Sequence, residues 1–449
     1  MKIKSIFRAI LVLLLSFFAG KYLGEFILSP MSMDQKIGVF LLPFISIVFI
    51  LSPMLGFMIL LSVRGLVNIF SEFYIIQGLS LLAAFSLVNI LFAFYILATT
   101  RNVKWFPGNL KWFYIYLLIA ILSVLNSPDL FKSIVGLMKL LSLTALFLLG
   151  YNLPNDLKDA FRVIKAILIS AVPVIIYGIY QLITGQGEQE YRGGVELAWI
   201  KLNSTFVLPN PFAFYLGVII LLAVLCIYYS EGKKGNAFYI PVLAGALVCL
   251  LFTYIRTVWI AVFLAFCMIG YHEKKARKLL VICAILLLPF SWKFVSYRLL
   301  DIVTTPEYGF NSVVFRFDMV KQLLVNAAFK HFFFGFGLNS VTDVTAKHTI
   351  YTGFVPHNDY LRLLIETGIF GLTAFLVFMG KYFVYLLDLV HKRVNFRANV
   401  VFLGLIIFYL SASLADSIFT YISGSGYIFC LMGLSYKIND INKESEMYA

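Results

Sequence analysis

The chain has 449 residues, 61% hydrophobic and 13% charged, with 36 Lys+Arg against 22 Asp+Glu and a formal net charge of +14. Soluble domains carry about 25% charged residues, so the composition excludes an ordinary soluble enzyme. The basic excess would suit nucleic acid in a soluble chain. Here the simpler account is Lys and Arg retained in cytoplasmic loops, and no nucleic-acid partner is expected.

Apolar runs long enough to cross a bilayer recur from end to end. They lie near 6–28, 37–51, 54–70, 75–98, 112–126, 133–151, 163–183, 211–229, 238–254, 257–271, 279–295, 362–387, 398–414 and 417–436. The first continues without a small-residue cleavage site and reads as a span, not a removed signal. Cys226, Cys249, Cys267, Cys283 and Cys430 all fall in apolar runs, without CxxC spacing or a nearby His. They read as buried or lipid-facing thiols, not as a disulfide framework or a zinc site.

Basic clusters mark one side of the membrane. They are Lys2, Lys4 and Arg8; Arg101, Lys104 and Lys111; Lys158, Arg162 and Lys165; Lys233 and Lys234; Lys274 to Lys278; Lys392, Arg393 and Arg397; and Lys437 and Lys443. The alternation requires spans two and three, and nine and ten, to stay separate, and puts both termini in the cytoplasm. The expected fold is therefore all-α: a polytopic transmembrane helix bundle of about 12–14 spans. Its parts are N-terminal spans (1–183), a first extracytoplasmic loop (184–210), central spans (211–295), a long extracytoplasmic segment (296–360), and C-terminal spans with a short tail (361–449). Arg64 and Lys139 lie inside apolar runs, where charge is costly unless it is functional or snorkels to an end.

In the long segment, Val313, Val314, Phe317, Val320, Leu323, Leu324 and Ala328 recur at helical spacing, with Arg316, Asp318, Lys321 and Gln322 between them. This predicts an amphipathic helix that lies on the outer membrane face or caps the bundle. The segment closes at Pro356-His357-Asn358-Asp359. Asn358 is a good N-cap and Asp359 suits the first turn, so a helix is predicted from here to about Asp388. About 30 residues make roughly 45 Å of helix, more than the roughly 30 Å apolar core of a bilayer. His357 should therefore stand at the water boundary.

Four stretches in order carry a resemblance. They are Ser204-Thr205-Phe206 with Pro209-Asn210-Pro211-Phe212-Ala213; Tyr254-Ile255-Arg256; Arg316 followed by His331 to Leu338, with its Gly335-Phe336-Gly337 turn; and His357-Asn358 through Glu366, Gly368 and Gly371. With these, the chain resembles the O-antigen ligase/polymerase family of bacterial membrane proteins over roughly residues 180–375. Lys201 stands where that family more often has Arg, Ser204 replaces its Gly, and Phe332 or Phe333 replaces a common Pro. The resemblance implies an integral-membrane glycosyltransferase of the bacterial cytoplasmic membrane with an extracytoplasmic active site. Its substrates would be a polyprenyl-diphosphate-linked saccharide and a growing glycan or lipid acceptor, within O-antigen, exopolysaccharide or teichuronic-acid assembly. Flippase and chain-length-regulator proteins are the implied protein partners. No cofactor is implied. With no acidic cluster to hold Mg²⁺ or Mn²⁺, metal-independent transfer is expected.

The chemistry explains the residue types. Negative charge builds on a departing lipid diphosphate, and fixed cations stabilise it. Arg256, Arg316 and Lys201 are the candidates, with Arg192 a weaker substitute for Lys201; Asn210 and Asn358 join them as substrate-binding candidates from the matching motifs. A plainer reading stands beside each cation: an interfacial snorkel for Arg256, a headgroup-facing charge for Arg316, a loop charge for Lys201. The acceptor hydroxyl must lose a proton, and His357 is the candidate base. Glu366 either orients His357 or pairs with Arg362. Gly335 and Gly337 predict a tight turn, with a phosphate-binding nest as an alternative use; Gly368 and Gly371 suggest close helix packing. A polymerase is favoured over a ligase, and a lipid-linked saccharide transporter is the alternative of another class, though no internal repeat supports it.

Overall fold

The computed structural model describes residues 51–70, 74–76, 79–100, 102–192, 195–229, 233–274, 277, 312–351 and 355–447. The runs at 6–28 and 279–295, nearly all of 37–51, and the first part of the long polar segment lie outside the described residues.

The described residues are overwhelmingly helical: α1 (Pro53–Val63), α2 (Leu81–Thr99), α3 (Leu110–Ser123), α4 (Leu130–Asn152), α5 (Leu157–Thr184), α6 (Pro209–Tyr229), α7 (Lys233–Phe252), α8 (Arg256–His272), α9 (Ser312–Leu323), α10 (Val341–His348), α11 (Asp359–His391), α12 (Phe396–Ser413) and α13 (Ile422–Met447). Two small antiparallel pairs interrupt them, β1 (Tyr74–Ile76) with β2 (Leu79–Ser80) and β3 (Glu188–Arg192) with β4 (Val195–Lys201). Among the described residues, α4, α5, α6, α11 and α12 are long and apolar enough to cross a membrane, and several shorter apolar helices accompany them. The protein is an all-α polytopic membrane protein. The loop expected at 184–210 folds in part as the β3–β4 hairpin.

Local chemistry sets the helix ends. Asp129 accepts from the Lys132 N–H at 3.1 Å to start α4, and Asp156 from the Asp159 N–H at 2.7 Å to start α5. Gly185, at φ 68°, stops α5. Between these ends, side chains pack into one aromatic-rich core; the Phe113 ring lies 5.1 Å from Phe378 and 5.0 Å from Phe429.

Cross-chain bonds sort the helices by direction. At one end, Lys104 lies 3.5 Å from Asp440, Asn395 bonds Asn439, and Arg397 reaches the Tyr228 carbonyl. This end gathers the basic residues that close α11, open α12 and lie along the end of α13. At the other end, Arg64 bonds the Ile422 carbonyl, Gln181 bonds Asn203, Leu202 N–H bonds Phe252 O, and Asn210 bonds Asp416. His357 and the 312–351 segment sit at this second end.

Two expectations need correction. The apolar stripe of the amphipathic segment does not act as one face. Met319, Leu323, Ala327 and Ala328 are buried against the helices over 341–348 and 359–391, while Val314 and Phe317 (78% exposed) point away; the helix then widens into a π-helical turn at Leu324–Ala328. Secondly, Gly368 is no helix-packing glycine. It breaks α11, with φ 68° and ψ −173°. The backbone groups freed there are taken up by the 332–337 segment: Ile369 N–H to Phe332 O, Phe336 N–H to Ile365 O, and Gly337 N–H to Glu366 O. The two segments touch so closely that a Cβ on Gly335 would lie 2.4 Å from the Glu366 carbonyl carbon, and one on Gly368 2.3 Å from that of Phe333. Glycine is required on both sides.

Candidate active site

The site is organised by one turn, Leu414–Asp416, between α12 and a short 3-10 helix at Ile418–Thr420. Three consecutive residues of this turn each hold a residue foreseen from sequence. The Leu414 carbonyl accepts from Asn358 Nδ2 at 2.9 Å. The Ala415 carbonyl accepts from Arg316 Nη1 at 2.9 Å. The Asp416 carboxylate meets His357 Nδ1 at 3.1 Å through Oδ1 and Asn210 Nδ2 at 2.6 Å through Oδ2. Segments from α6, α9, the start of α11 and the end of α12 thus converge on three residues.

Each arm is locally determined. Asn358 caps α11 by accepting from Leu361 N–H at 2.9 Å while its amide nitrogen reaches the turn. His357 therefore leaves the helix start at a fixed angle. Its imidazole is 29% exposed, whereas Asp416 is only 2% exposed. Asp416 Oδ1 also accepts from Ser417 N–H at 2.8 Å and Tyr421 OH at 3.0 Å. Burial alone would raise its carboxyl, but the bonds from His357, Ser417 N–H and Asn210 hold it below the ordinary carboxylate value. The Tyr421 hydroxyl is a donor in this set. A charged Asp416 can only accept, so His357 Nδ1 carries the hydrogen and Nε2 is left as the basic nitrogen.

Glu366 does not contribute to this pair. Both its oxygens bond Arg362, at 2.9 and 3.2 Å, and the pair is buried inside the bundle. Of the two partners foreseen for Glu366, the structure selects Arg362, and Asp416 supplies the carboxylate beside His357. Arg256 begins α8 at the same end, four residues after Phe252, whose carbonyl accepts from Leu202 N–H at 3.0 Å. Lys201, the last residue of β4, precedes Leu202; Arg192 ends β3. These three lie at the same end of the chain's fold. The Gly335–Gly337 turn exists, with φ of 68° and 96°. Its N–H groups are committed to His331, Ile365 and Glu366 carbonyls, so it forms no nest for phosphate. Arg64 does not snorkel. It is 1% exposed and donates to the Ile422 and Ser423 carbonyls.

A match with a family model falls on this part of the chain. Residues 241–376 match the model of O-antigen ligase. The match supports assignment to the O-antigen ligase/polymerase family, as the motifs had implied, and covers Arg256, Arg316, His357, Asn358 and Glu366. Lys201, Asn210 and Asp416 lie outside it. Comparison with curated proteins gives no significant match.

Asp416 was not foreseen. Its signal was faint: one acid in the short gap between two apolar runs, where any helix connection tolerates a charge. The Ser204 difference from the family Gly does have a structural meaning. Ser204 has φ 48°, the left-handed region that glycine enters freely. Its N–H donates to Gln181 Oε1 at 2.8 Å and its hydroxyl to the Val174 carbonyl at 2.6 Å, which hold it there.

Proposed function

We propose that the chain is an integral-membrane glycosyltransferase that polymerises or ligates polyprenyl-diphosphate-linked saccharide units at the outer face of the bacterial cytoplasmic membrane. The observation that carries this reading is the Leu414–Asp416 turn, which gathers an oriented imidazole and a guanidinium at one end of the bundle. In the transfer, the acceptor hydroxyl gives its proton to His357 Nε2 as its oxygen bonds the anomeric carbon. The bond from that carbon to the diphosphate oxygen breaks, and its electron pair leaves with the lipid diphosphate. Asp416 stabilises the imidazolium without taking its proton. Arg316, joined by Arg256 and Lys201 from the same end, stabilises the charge that develops on the phosphates. The outer location is supported by the gathering of basic loops at the opposite end. Polymerisation is favoured over ligation because nothing in the chain identifies a lipid acceptor.

The test is reconstitution in lipid nanodiscs with a polyprenyl-diphosphate-linked saccharide, following release of carrier diphosphate and product length. Wild type should release carrier and extend a glycan acceptor; His357→Ala at equal protein level should not. Equal turnover by His357→Ala would end the reading.

A further inference from the structure

Residues 357–360, at the start of α11, each hold a different point of the segment that carries Asp416. His357 meets Asp416 itself. Asn358 donates to the Leu414 carbonyl, and the Tyr360 hydroxyl donates to the Leu410 carbonyl at 2.8 Å. Both carbonyls precede Asp416 in the chain. Asp359 reaches the other side: its Oδ2 accepts from the Phe419 N–H at 2.9 Å. Of these four bonds, the one from Asp359 holds the chain after Asp416. Phe419 is the middle residue of the 3-10 helix Ile418–Thr420. That helix joins two groups that meet on one oxygen, because Tyr421 OH donates to the same Asp416 Oδ1 that faces His357 Nδ1. A shift of the Phe419 backbone would therefore move the acid and its phenol donor together. The Phe419 ring is fixed in the core, 5.3 Å from Phe375, so Asp359 grips a backbone already anchored on its side-chain end.

The choice of an acid here is costly. Asp359 is 2% exposed, and its Oδ1 makes no hydrogen bond; the nearest guanidinium atom, Arg362 Nη1, stands 3.9 Å away. Arg362 spends its Nε and Nη2 on Glu366. An acid in the first helical turn suits the dipole, but an exposed one would serve that purpose without the burial. A buried carboxylate with a half-filled shell is a poor source of stability. What its charge supplies is a stronger hold on the Phe419 N–H, since a charge-assisted bond is roughly twice as strong as a neutral one.

We propose that Asp359 is a positioning residue for the transfer: by holding the Phe419 N–H it fixes the 416–421 loop, and with it the Asp416 carboxylate that orients His357. The proposal rests on the glycosyltransferase reading for the reaction that this geometry serves. Asp359 touches no reacting atom in this account. It acts through the backbone of Phe419 on Asp416, and through Asp416 on the imidazole.

The experiment uses the full chain in nanodiscs with a polyprenyl-diphosphate-linked saccharide. Asp359→Ser removes the bond and a buried charge but leaves Arg362 paired with Glu366, so the fold should tolerate it. Its kcat per folded protein should fall about 10²-fold, the scale of a misplacement of about 1 Å, with KM for the donor within about twofold of wild type. Asp359→Asn keeps an acceptor without the charge and should lose only about fivefold. Asp359→Ser and Asp416→Asn act on one arrangement, so their losses should not multiply: the double variant should lie within about threefold of the worse single one. A second readout needs no turnover. In ¹⁵N-histidine spectra at alkaline pH, with the signal assigned by its loss in His357→Ala, wild type should carry the His357 hydrogen on Nδ1. Asp359→Ser should move a large fraction of it to Nε2. If Asp359→Ser inserts poorly, Asp359→Asn carries the same cycle and the same spectrum. An unchanged kcat per folded protein, losses that multiply in the double variant, or a His357 tautomer that stays as in wild type would each overturn the proposal. If wild type transfers no saccharide, the functional reading fails and the tautomer still decides whether Asp359 sets the ring. If transfer depends on His357 while Asp359→Ser matches wild type, the reading stands and the proposal falls.

Discussion

Two acid–base pairs begin five residues apart, at His357 and Arg362 by the start of α11, and they are built differently. His357–Asp416 joins residues 59 apart in sequence and leaves the imidazole partly open. Arg362–Glu366 joins neighbours one helical turn apart and is enclosed. The open pair has a partly exposed imidazole and an acceptor fixed by three further donors. The closed pair consists of groups that neutralise each other in an apolar surround. Burial of an ion pair is weak evidence for function, since its removal as a unit is often tolerated. Openness with a fixed orientation is what general-base chemistry requires. Substitutions can therefore separate the two by readout: transfer for one, folding for the other.

The largest expected effect is on the open pair. His357→Ala should reduce transfer by about 10²- to 10⁴-fold, the usual contribution of a general base. Its melting temperature in detergent should stay close to wild type, because one face of the ring already meets solvent. A large fall in stability with full specific activity would reverse the contrast. Next comes the closed pair. Arg362→Ala strips the guanidinium from two buried carboxyls, Glu366 and Asp359, and should cost about 3–5 kcal/mol, seen as lost membrane-inserted protein. The double change Arg362→Met with Glu366→Leu leaves only Asp359, which keeps its bond from the Phe419 N–H, and should recover most of that loss, along with transfer. Failure of the double variant to transfer, when well folded, would place Glu366 in the chemistry after all.

Asp416→Asn sharpens the comparison further. It keeps the shape but weakens the hold on the imidazole tautomer, so transfer should fall on the order of 10²-fold. Its stability effect has a definite sign. The folded carboxyl lies below its ordinary value of about 3.9, so Asp416 contributes stability above that pH and loses it as pH falls through the lower folded value. The difference in melting temperature between wild type and Asp416→Asn should thus be full at pH 6–7 and shrink below about pH 4. A constant difference across that range would mean that the carboxylate's charge does not matter to the turn.

Much of this arrangement was legible in the chain. The apolar runs gave the bundle, and the Asn358 cap placed the start of α11 and with it His357. Arg316, Asn210 and Asn358 followed from motif order. The contacts that join them were not legible, because they run through backbone carbonyls of Leu414 and Ala415, and every residue type has a carbonyl. The break at Gly368 was hidden for a related reason. A glycine in an apolar run reads as helix packing, and only the partner strand at 332–337 shows that its positive φ is needed. The split of the 313–328 stripe was hidden because helical spacing shows which residues share a face but not which face the neighbouring elements cover.

The smallest effect concerns the loop at 202–206, which neither charged pair reaches and which uncharged bonds alone hold. Ser204→Gly removes a left-handed strain worth about 1–2 kcal/mol. It also removes the hydroxyl bond to Val174, worth about 1 kcal/mol, and gives the unfolded chain more freedom. These terms nearly cancel, so stability should change by less than about 1 kcal/mol. Ser204→Val loses the same bond, keeps the strain and adds a β-branched side chain at positive φ, a combination that L residues rarely tolerate. It should be less stable than Ser204→Gly by about 2 kcal/mol, measured as thermal unfolding in detergent. Equal stability of the two would show that the backbone at 204 is free to relax, and that the family glycine and this serine are interchangeable for some reason other than φ. A clear gap would mean the loop leading to Asn210 is held by backbone geometry, so that a neutral residue far from both charged pairs helps to set where Asp416 stands.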